Sequence, residues 1–218
     1  MEKKLRQEQA NIIKVVLFGP ESTGKTTLST QLARHYNTVW APEFARDYLQ
    51  EKWNNERKTC ENSDLIPIAI GQMKLENTLA KKADKVLICD TDLLETKVYS
   101  SAYYGGFVDP LLDKAAKENS YDLYLLTYID TPWEADDLRD KPEQRLEMFT
   151  AFEKALKEHD RPYVLLKGNK QKRLKEAIQA IDSILENKEN LDSYSDNLAD
   201  IDLHFLHQNI EGSSNYDL

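Results

Sequence analysis

The segment G-P-E-S-T-G-K-T at residues 19–26 constrains this chain more than any other, because it has the spacing G-x-x-x-x-G-K-T. An apolar run at 12–18 precedes it directly, and a helical pattern begins at Lys25. Glycines permit backbone conformations that other residues resist, so successive N–H groups can turn inward as a nest for phosphate oxygens. The N-terminus of the following helix adds a partial positive charge. The segment therefore predicts a phosphate-binding P-loop.

Specific roles follow from the positions within this loop. We expect Lys25 to reach the β- and γ-phosphates of a nucleoside triphosphate and the Thr26 hydroxyl to be a Mg²⁺ ligand. The predicted nucleotide-binding residues are Gly19, Glu21, Ser22, Thr23, Gly24, Lys25, Thr26 and Thr27. The alternative is a glycine-rich turn with a solvated lysine, and the strand-before, helix-after context argues against it.

Composition narrows the class of protein. The chain has 218 residues, 40% hydrophobic and 31% charged, enough for one large α/β domain. No apolar run approaches the roughly 20 residues of a membrane helix, and the charged N-terminus lacks the core of a signal peptide. Cys60 and Cys89 have no metal-ligand spacing, which favours a reducing, cytoplasmic setting. The net charge of −9 argues against a nucleic-acid partner.

The acidic charge is concentrated at the C-terminus. Residues 187–218 hold seven acidic residues and one lysine. We predict an N-terminal extension (1–10), a kinase-type P-loop domain (11–186) and an acidic tail (187–218). The tail is interpreted either as a loosely attached arm or as a short helix docking on the core or on a neighbouring subunit, so a homo-oligomer is one alternative.

Short apolar runs alternate with longer helical patterns along the chain. The predicted strands are 12–18, 39–41, 86–89, 123–129 and 163–166, and the predicted helices are 25–36, 44–53, 66–82, 95–103, 111–119, 142–159 and 174–185, with polar loops at 54–64 and 131–141. Helical spacing predicts buried stripes at Ile70, Met73, Asn77 and Ala80, at Leu146, Phe149, Phe152 and Leu156, and at Leu174, Ile178, Ile181 and Leu185. The pattern indicates a P-loop NTPase fold, a three-layer α/β/α architecture with a five-stranded parallel sheet.

Acidic residues follow three of the predicted strands, where the ligand crevice of such a sheet lies. Glu43 follows the second strand, Asp90 and Asp92 follow the third, and Asp130 follows the fourth. Phosphoryl transfer needs one acid in the Mg²⁺ shell and one to orient the attacking hydroxyl. We assign Asp90 to the metal and leave the hydroxyl to Glu43 or Asp92, preferring Glu43 as substrate-facing. The alternative for each aspartate is a helix N-cap.

Other residues near the strand ends allow two interpretations each. Trp133 could stack on a flat base or act as a hydrophobic anchor. Arg139 and Arg145 could belong to a mobile flap that neutralises the transferring phosphoryl group, or could be surface charge. Asn169, after Gly168, could approach the adenine ring or form a plain turn.

The ordered motifs resemble one known family. G-P-E-S-T-G-K-T at 19–26, E-F-A-R at 43–46, D-T-D at 90–92 and D-T-P-W at 130–133, followed by D-D-L-R at 136–139, are similar to the AAA-type P-loop kinases of NAD metabolism. The resemblance covers about residues 11–185, and the set looks like the ribosylnicotinamide kinase domain of the bifunctional bacterial NAD-biosynthesis regulator. Each motif follows the expected strand, which makes the set more specific than the P-loop alone.

The resemblance implies ATP–Mg²⁺-dependent phosphorylation of the ribose 5′-hydroxyl of nicotinamide riboside. It further implies that Trp133 helps to hold the nicotinamide and that the segment from Asp136 to Arg145 is a lid. The riboside pocket and metal site would include Glu43, Arg46, Asp90 and Asp92, and Asp136 is a further predicted substrate-binding residue. The paired-histidine motif of an adenylyl-transferring half and a DNA-binding helix-turn-helix are missing from this sequence, so we expect neither activity.

Three other functions remain as alternatives. The first is a kinase of another nucleoside or small hydroxyl compound. The second is a nucleotide switch, but Trp133 stands where a GTPase needs glycine, and N-K-Q-K at 169–172 lacks the aspartate of the guanine motif. The third is an ATP-dependent interaction module that works through the acidic tail.

Overall fold

The computed structural model describes residues 1–138 and 142–211, and side chains up to residue 190 apart from that of residue 142. Five strands form one parallel sheet in the order β2-β3-β1-β4-β5. Their bounds are β1 Ile13–Phe18, β2 Trp40–Ala41, β3 Val86–Asp90, β4 Leu123–Thr127 and β5 Tyr163–Leu166. The five predicted strands and the parallel sheet are confirmed.

Seven α-helices connect and cover these strands in the described part of the chain. They are α1 Lys25–His35, α2 Phe44–Glu56, α3 Leu65–Ala80, α4 Leu93–Tyr103, α5 Pro110–Glu118, α6 Arg145–Glu158 and α7 Lys170–Glu211. Short 3-10 turns span Glu2–Lys4, Asn62–Asp64 and Pro142–Gln144. Local sequence explains some starts: the Asp109 side chain accepts a hydrogen bond from the Leu111 N–H, and Pro110 takes the first helical position of α5.

The sheet is covered on both faces, because every residue of β1, β3 and β4 is buried. Phe18, at the end of β1, lies at the centre of one core, with its ring centroid 5.4 Å from Tyr124 and 4.9 Å from Phe152. Helix α1 packs against β1 and β3 through the buried residues Leu28 and Leu32. The fold is therefore the predicted three-layer P-loop architecture.

Three predicted helix faces were only partly correct. The residues buried as predicted are Met73 and Ala80 on α3, Phe149, Phe152 and Leu156 on α6, and Ile181 on α7. On α3 the buried face contains Gln72 and Glu76, and Ile70 and Asn77 are only half-buried. The prediction sought apolar residues, so it could not place a buried glutamate inside. On α6, Leu146 is 61% exposed, because the buried stripe begins one turn inside the helix at Met148. On α7, Arg173 and Ala177 are buried, while Leu174 and Ile178 are half-buried.

The chain divides into two compact units, residues 1–179 and residues from 180 onward. The first unit contains the sheet. In the second unit α7 continues as helix to Glu211, so the predicted helix end at Leu185 was wrong. Residues 170–211 contain neither glycine nor proline to end the helix. The predicted domain boundary after residue 186 lies within this helix and stays a prediction. None of the described helices is both long and apolar enough to cross a membrane.

Candidate active site

Strand register places the phosphate loop beside the acid that ends β3. Leu17 of β1 pairs with Asp90 of β3, so the chain leaves β1 next to that carboxylate. Gly19 then turns with φ 136°, and a Cβ there would lie 2.8 Å from Thr127 Oγ1 and 2.9 Å from the Thr127 carbonyl oxygen. Only glycine fits such a close approach at this dihedral angle.

Two residues outside the G-x-x-x-x-G-K-T motif, Thr127 and Arg173, contact the loop. The Thr23 hydroxyl donates to the Pro20 carbonyl oxygen (2.8 Å) and lies 2.7 Å from Thr127 Oγ1. Arg173, in the first turn of α7, donates from Nη1 to the Thr23 carbonyl oxygen at 2.6 Å and forms an ion pair with Asp130. Sequence reasoning missed Arg173, because a lone arginine in a basic stretch gives no signal of this contact.

Lys25 is buried among carboxylates. Its Nζ donates to the Gly19 carbonyl oxygen at 2.5 Å and to the Pro20 carbonyl oxygen at 3.2 Å, and it lies 3.1 Å from Glu95 Oε1. Glu95 was not among the predicted site residues. Its signal in the sequence is the helical spacing of Glu95, Tyr99 and Tyr103 directly after D-T-D.

Lys25 and the acidic residues around it shift one another's pKa values. Burial lowers the pKa of Lys25, but the carboxylates of Glu95, Glu43 and Asp90 outweigh it and hold the pKa above its ordinary value. Burial raises the pKa of Asp90 to about 6 and that of Glu95 to about 8, although Lys25 opposes both shifts. One cation therefore faces three acids in a poorly hydrated place.

Asp92 occupies a different environment from Asp90. Its Oδ1 accepts a hydrogen bond from the Glu95 N–H and so caps α4, and its Oδ2 accepts one from the Tyr124 hydroxyl at 2.7 Å. Asp92 is 1% exposed and does not line the cavity described below. The structure therefore gives Asp92 the helix N-cap, the alternative to the predicted catalytic and substrate-binding role.

Glu43 and Arg46 line the cavity described below, because β2 ends just before them, and their roles toward a substrate stay predictions. The Phe44 N–H donates to Gln72 Oε1 at 2.8 Å, which fixes the turn that carries Glu43. Arg46 Nη2 lies 2.6 Å from Asp136 Oδ2, so this pair ties α2 to the segment 131–138. Asp136, a predicted substrate-binding residue, does not line the cavity but pairs with Arg46, which does.

Trp133 and Arg145 contact each other beside the phosphate loop. The guanidinium carbon of Arg145 lies 5.7 Å from the centroid of the Trp133 ring. Arg145 also donates to the carbonyl oxygens of Thr131 at 2.9 Å and of Ser22 at 3.2 Å. Neither Trp133 nor Arg145 lines the cavity. Arg139 lies outside the described residues.

Asn169 directly precedes α7, and its contact with the adenine ring stays a prediction. Its Oδ1 accepts a hydrogen bond from the Lys172 N–H at 2.9 Å at the start of α7, and the preceding Gly168 N–H donates to Asp130 Oδ2 at 2.6 Å. Asn169 does not line the cavity, although its neighbour Lys170 does.

A cavity of about 650 Å³ lies between the phosphate loop and the helices α2, α3 and α4. Such a volume suits a small-molecule ligand. One part is the loop from Glu21 to Thr27. A second part, here called the helical wall, is lined by Ala45, Arg46, Leu49, Thr59, Cys60, Leu65, Ile68, Gln72, Glu95, Thr96, Tyr99, Tyr103 and Tyr104. The remaining lining residues are Glu43, Thr91, Thr131, Pro132, Glu134, Asp137, Leu138 and Lys170. Sequence reasoning missed the tyrosines, which belong to no known motif.

The predicted metal residues lie next to each other. Hydrogen bonds from the Thr26 and Ser29 side chains stabilise the charged form of Asp90, and Asp90 Oδ1 is buried without a hydrogen-bond partner in the described part of the chain. Among residues 1–138 and 142–211, no group of three His, Cys, Asp or Glu side chains forms a ready-made metal site. A Mg²⁺ ion bound mainly by phosphates and water needs only one or two protein ligands, and Thr26 with Asp90 suits that arrangement.

Comparisons with known proteins agree with this geometry. A family model described as an AAA domain matches residues 14–173. The trifunctional NAD biosynthesis/regulator protein NadR of Salmonella typhimurium (strain LT2) is 37% identical over 128 residues, which make up 57% of this chain and 30% of NadR. The chain thus spans less than a third of this curated relative.

Two crystal structures of a NadR protein are similar to this chain. The complex with NR has a TM-score of 0.70 at 27% identity, covering 79% of this chain and 51% of that one. The complex with NAD and AMP-PNP has a TM-score of 0.66 at 27% identity, covering 79% and 49%. Since the family model matches well over half of the residues, this chain belongs to the AAA domain family.

Proposed function

We propose that this chain transfers the γ-phosphoryl group of ATP, with Mg²⁺, to the ribose 5′-hydroxyl of nicotinamide riboside. The observation that carries the proposal is that Lys25 and Glu43 line one cavity between the phosphate loop and the helical wall, while Asp90, which does not line it, lies close enough to raise the pKa of Lys25. The NadR complexes with NR and with AMP-PNP support both the acceptor and the nucleotide. Because this chain spans about half of those proteins, their ligands are carried over only as a proposal.

The donor side uses the phosphate loop. The N–H groups of the loop and of the first turn of α1 bind the phosphates, and no side chain of the described residues caps α1 in competition with them. Lys25 leaves its present partners to reach a phosphate oxygen. Thr26 and Asp90 would hold a Mg²⁺ ion, which would neutralise charge on the triphosphate during transfer.

The acceptor side uses the helical wall. Glu43 lines the cavity and lies close enough to Lys25 and Asp90 to shift their pKa values, so it is placed to orient the hydroxyl that attacks the γ-phosphate. Arg46 is fixed by its pair with Asp136 and provides a charged donor for a ribose hydroxyl.

The nicotinamide ring is assigned to the tyrosines of the helical wall rather than to Trp133. Tyr99, Tyr103 and Tyr104 line the cavity together, with the Tyr99 and Tyr103 centroids 6.0 Å apart. A flat base can pack against such rings. Trp133 instead packs on Arg145, where the pair connects the segment 131–138 to the Ser22 carbonyl oxygen. The phosphate-neutralising role of Arg139 and Arg145 stays a prediction.

The proposal is tested by an ADP-release assay with ATP–Mg²⁺ against nicotinamide riboside, the common nucleosides and no acceptor. We expect strong stimulation by nicotinamide riboside alone, with the mononucleotide detected by mass spectrometry. Stimulation by another nucleoside would identify that nucleoside as the acceptor. Equal turnover with and without acceptors would show that the chain is an ATPase and not a kinase.

Two variants test the placement of the base. Tyr103→Ala should raise the KM for nicotinamide riboside about tenfold with little change in the KM for ATP, since one aromatic contact is worth about 1 kcal/mol or more. Trp133→Ala is the matched control and should leave the riboside KM nearly unchanged. If Trp133→Ala raised the riboside KM and Tyr103→Ala did not, the nicotinamide ring would be assigned to Trp133 instead.

A further inference from the structure

Glu95 is a buried carboxylate in the cavity that the proposed reaction does not use. It lies in the first turn of α4, is 2% exposed, and lines the cavity. Its Oε1 is 3.1 Å from Lys25 Nζ, while its Oε2 is buried without a hydrogen-bond partner among the described residues. A purely structural carboxylate would have both oxygens satisfied.

The contacts of Lys25 show what this carboxylate does. A lysine ammonium has three protons, and Lys25 has three partners, the carbonyl oxygens of Gly19 and Pro20 and the Oε1 of Glu95. The ammonium can bind a phosphate oxygen only by giving up one of them. The two carbonyl groups belong to the phosphate loop itself, whereas Glu95 comes from another element and, above its pKa of about 8, carries a full charge that competes with a phosphate.

We propose that Glu95 is a positioning residue that holds Lys25 folded onto the phosphate loop and competes with the triphosphate for it. The pair keeps the ammonium in place at the cost of nucleotide affinity. This inference rests on the proposed nucleotide site but not on the identity of the acceptor, because the competition takes place on the phosphate side.

Two electrostatic effects act in the same direction when the Glu95 charge is removed. Lys25 loses its strongest competing partner, and the triphosphate loses a nearby like charge in a place where water screens little. Glu95→Gln keeps the shape and a hydrogen-bond acceptor for Lys25. We expect it to bind Mg²⁺–AMP-PNP about tenfold more tightly, the equivalent of about 1.4 kcal/mol.

The affinity is measured by calorimetry at pH 9, where Glu95 is ionised, with Mg²⁺–AMP-PNP and no acceptor, on wild type, Glu95→Gln and a charge-matched control. Glu118→Gln is the control, because Glu118 lies on α5 in an exposed pair with Lys114 at 3.7 Å. It should bind like wild type. In the kinase assay the KM for ATP should fall in Glu95→Gln while kcat stays within about threefold of wild type, a split that a general loss of structure would not give.

Two results would overturn the proposal. Unchanged or weaker AMP-PNP binding by a folded Glu95→Gln protein would show that Glu95 does not compete with the triphosphate for Lys25. A loss of kcat of a hundredfold or more at unchanged nucleotide affinity would mean that Glu95 acts on the acceptor hydroxyl. If Glu95→Gln does not fold, Glu95→Asp retracts the carboxylate from Lys25 and should also bind more tightly. Failure of nicotinamide riboside as acceptor would leave this affinity test intact.

Discussion

Replacing Lys25 by methionine should abolish turnover and also destabilise the empty protein, in a way that depends on pH. The aliphatic part of the side chain is retained, so the core contact of this buried residue changes little. Glu95, however, is 2% exposed and loses its only ion-pair partner among the described residues. The Lys25 variant thus leaves a buried carboxylate facing Glu43 and Asp90 without a cation.

The size of the effect follows from the cost of an unpaired buried charge. Breaking a buried ion pair by removing one partner costs about 3–5 kcal/mol. The carboxyl can reduce this cost by taking up a proton, which is easy at pH 6 because burial already raises the pKa of Glu95 to about 8. We therefore expect a loss of about 1–2 kcal/mol at pH 6 and about 3–5 kcal/mol at pH 9.

The sign of the pH dependence can be stated for wild type as well. Glu95 has a folded pKa of about 8 against 4.5 as its ordinary value, so between these limits the folded state binds more protons than the unfolded state. Stability then falls as pH rises, by about 1.4 kcal/mol per pH unit from this group, and the fall ends near the folded pKa. Without Lys25 the folded pKa moves higher, so the fall continues above pH 8.

Urea unfolding followed by tryptophan fluorescence at pH 6, 7.5 and 9 measures this difference. The double variant Lys25→Met with Glu95→Gln is the matched control, and it should recover most of the stability at pH 9 while remaining inactive. Equal destabilisation by Lys25→Met at pH 6 and pH 9, or no recovery in the double variant, would refute the reasoning that Glu95 bears the cost.

Three further perturbations have outcomes that the structure fixes. Glu76→Leu leaves the buried ammonium of Lys14 without its partner at 3.1 Å and should cost about 3–5 kcal/mol in urea unfolding; a loss below about 1 kcal/mol would show that the pair is dispensable. Gly71→Ala places a Cβ 2.1 Å from the Phe44 ring, so overpacking of about 1–3 kcal/mol outweighs a helix gain of about 1, and adding Phe44→Leu should restore the thermal midpoint. Asp90→Asn should shift the Mg²⁺ titration of ATP turnover to higher concentration, and an unchanged titration would move the metal role to another residue.

Much of the fold could be predicted because the pattern is local. Five apolar runs and the helical periods between them give the elements, and G-x-x-x-x-G-K-T gives the first βα junction. The errors came from polar residues in unexpected places. Glu76 is buried on α3 because Lys14 and the Tyr121 hydroxyl satisfy its two oxygens, at 3.1 Å and 2.7 Å, and no periodicity of apolar residues contains that information.

The candidate site was predicted unevenly for a similar reason. Lys25, Glu43 and Asp90 were found because they follow strand ends at motif positions. Asp90 and Asp92 are identical in type and two residues apart, yet one faces the phosphate loop and the other caps α4 under the Tyr124 hydroxyl. Residues two apart would share a face if the strand continued, but Thr91 has a positive φ of 105° and the chain turns there into α4, so sequence spacing alone does not tell which aspartate the ligand meets.

The sequence by itself determined the class of fold and the phosphate-binding loop, since glycine spacing and strand–helix alternation act over a few residues. The tertiary structure decided which charges meet. Lys25 and Glu95 are 3.1 Å apart although β2, β3 and three helices separate them along the chain, and Arg173 reaches the Thr23 carbonyl oxygen from the far end of the first unit. Such pairings depend on how the helices pack on the sheet, because electrostatic interactions follow distance in space rather than distance in sequence.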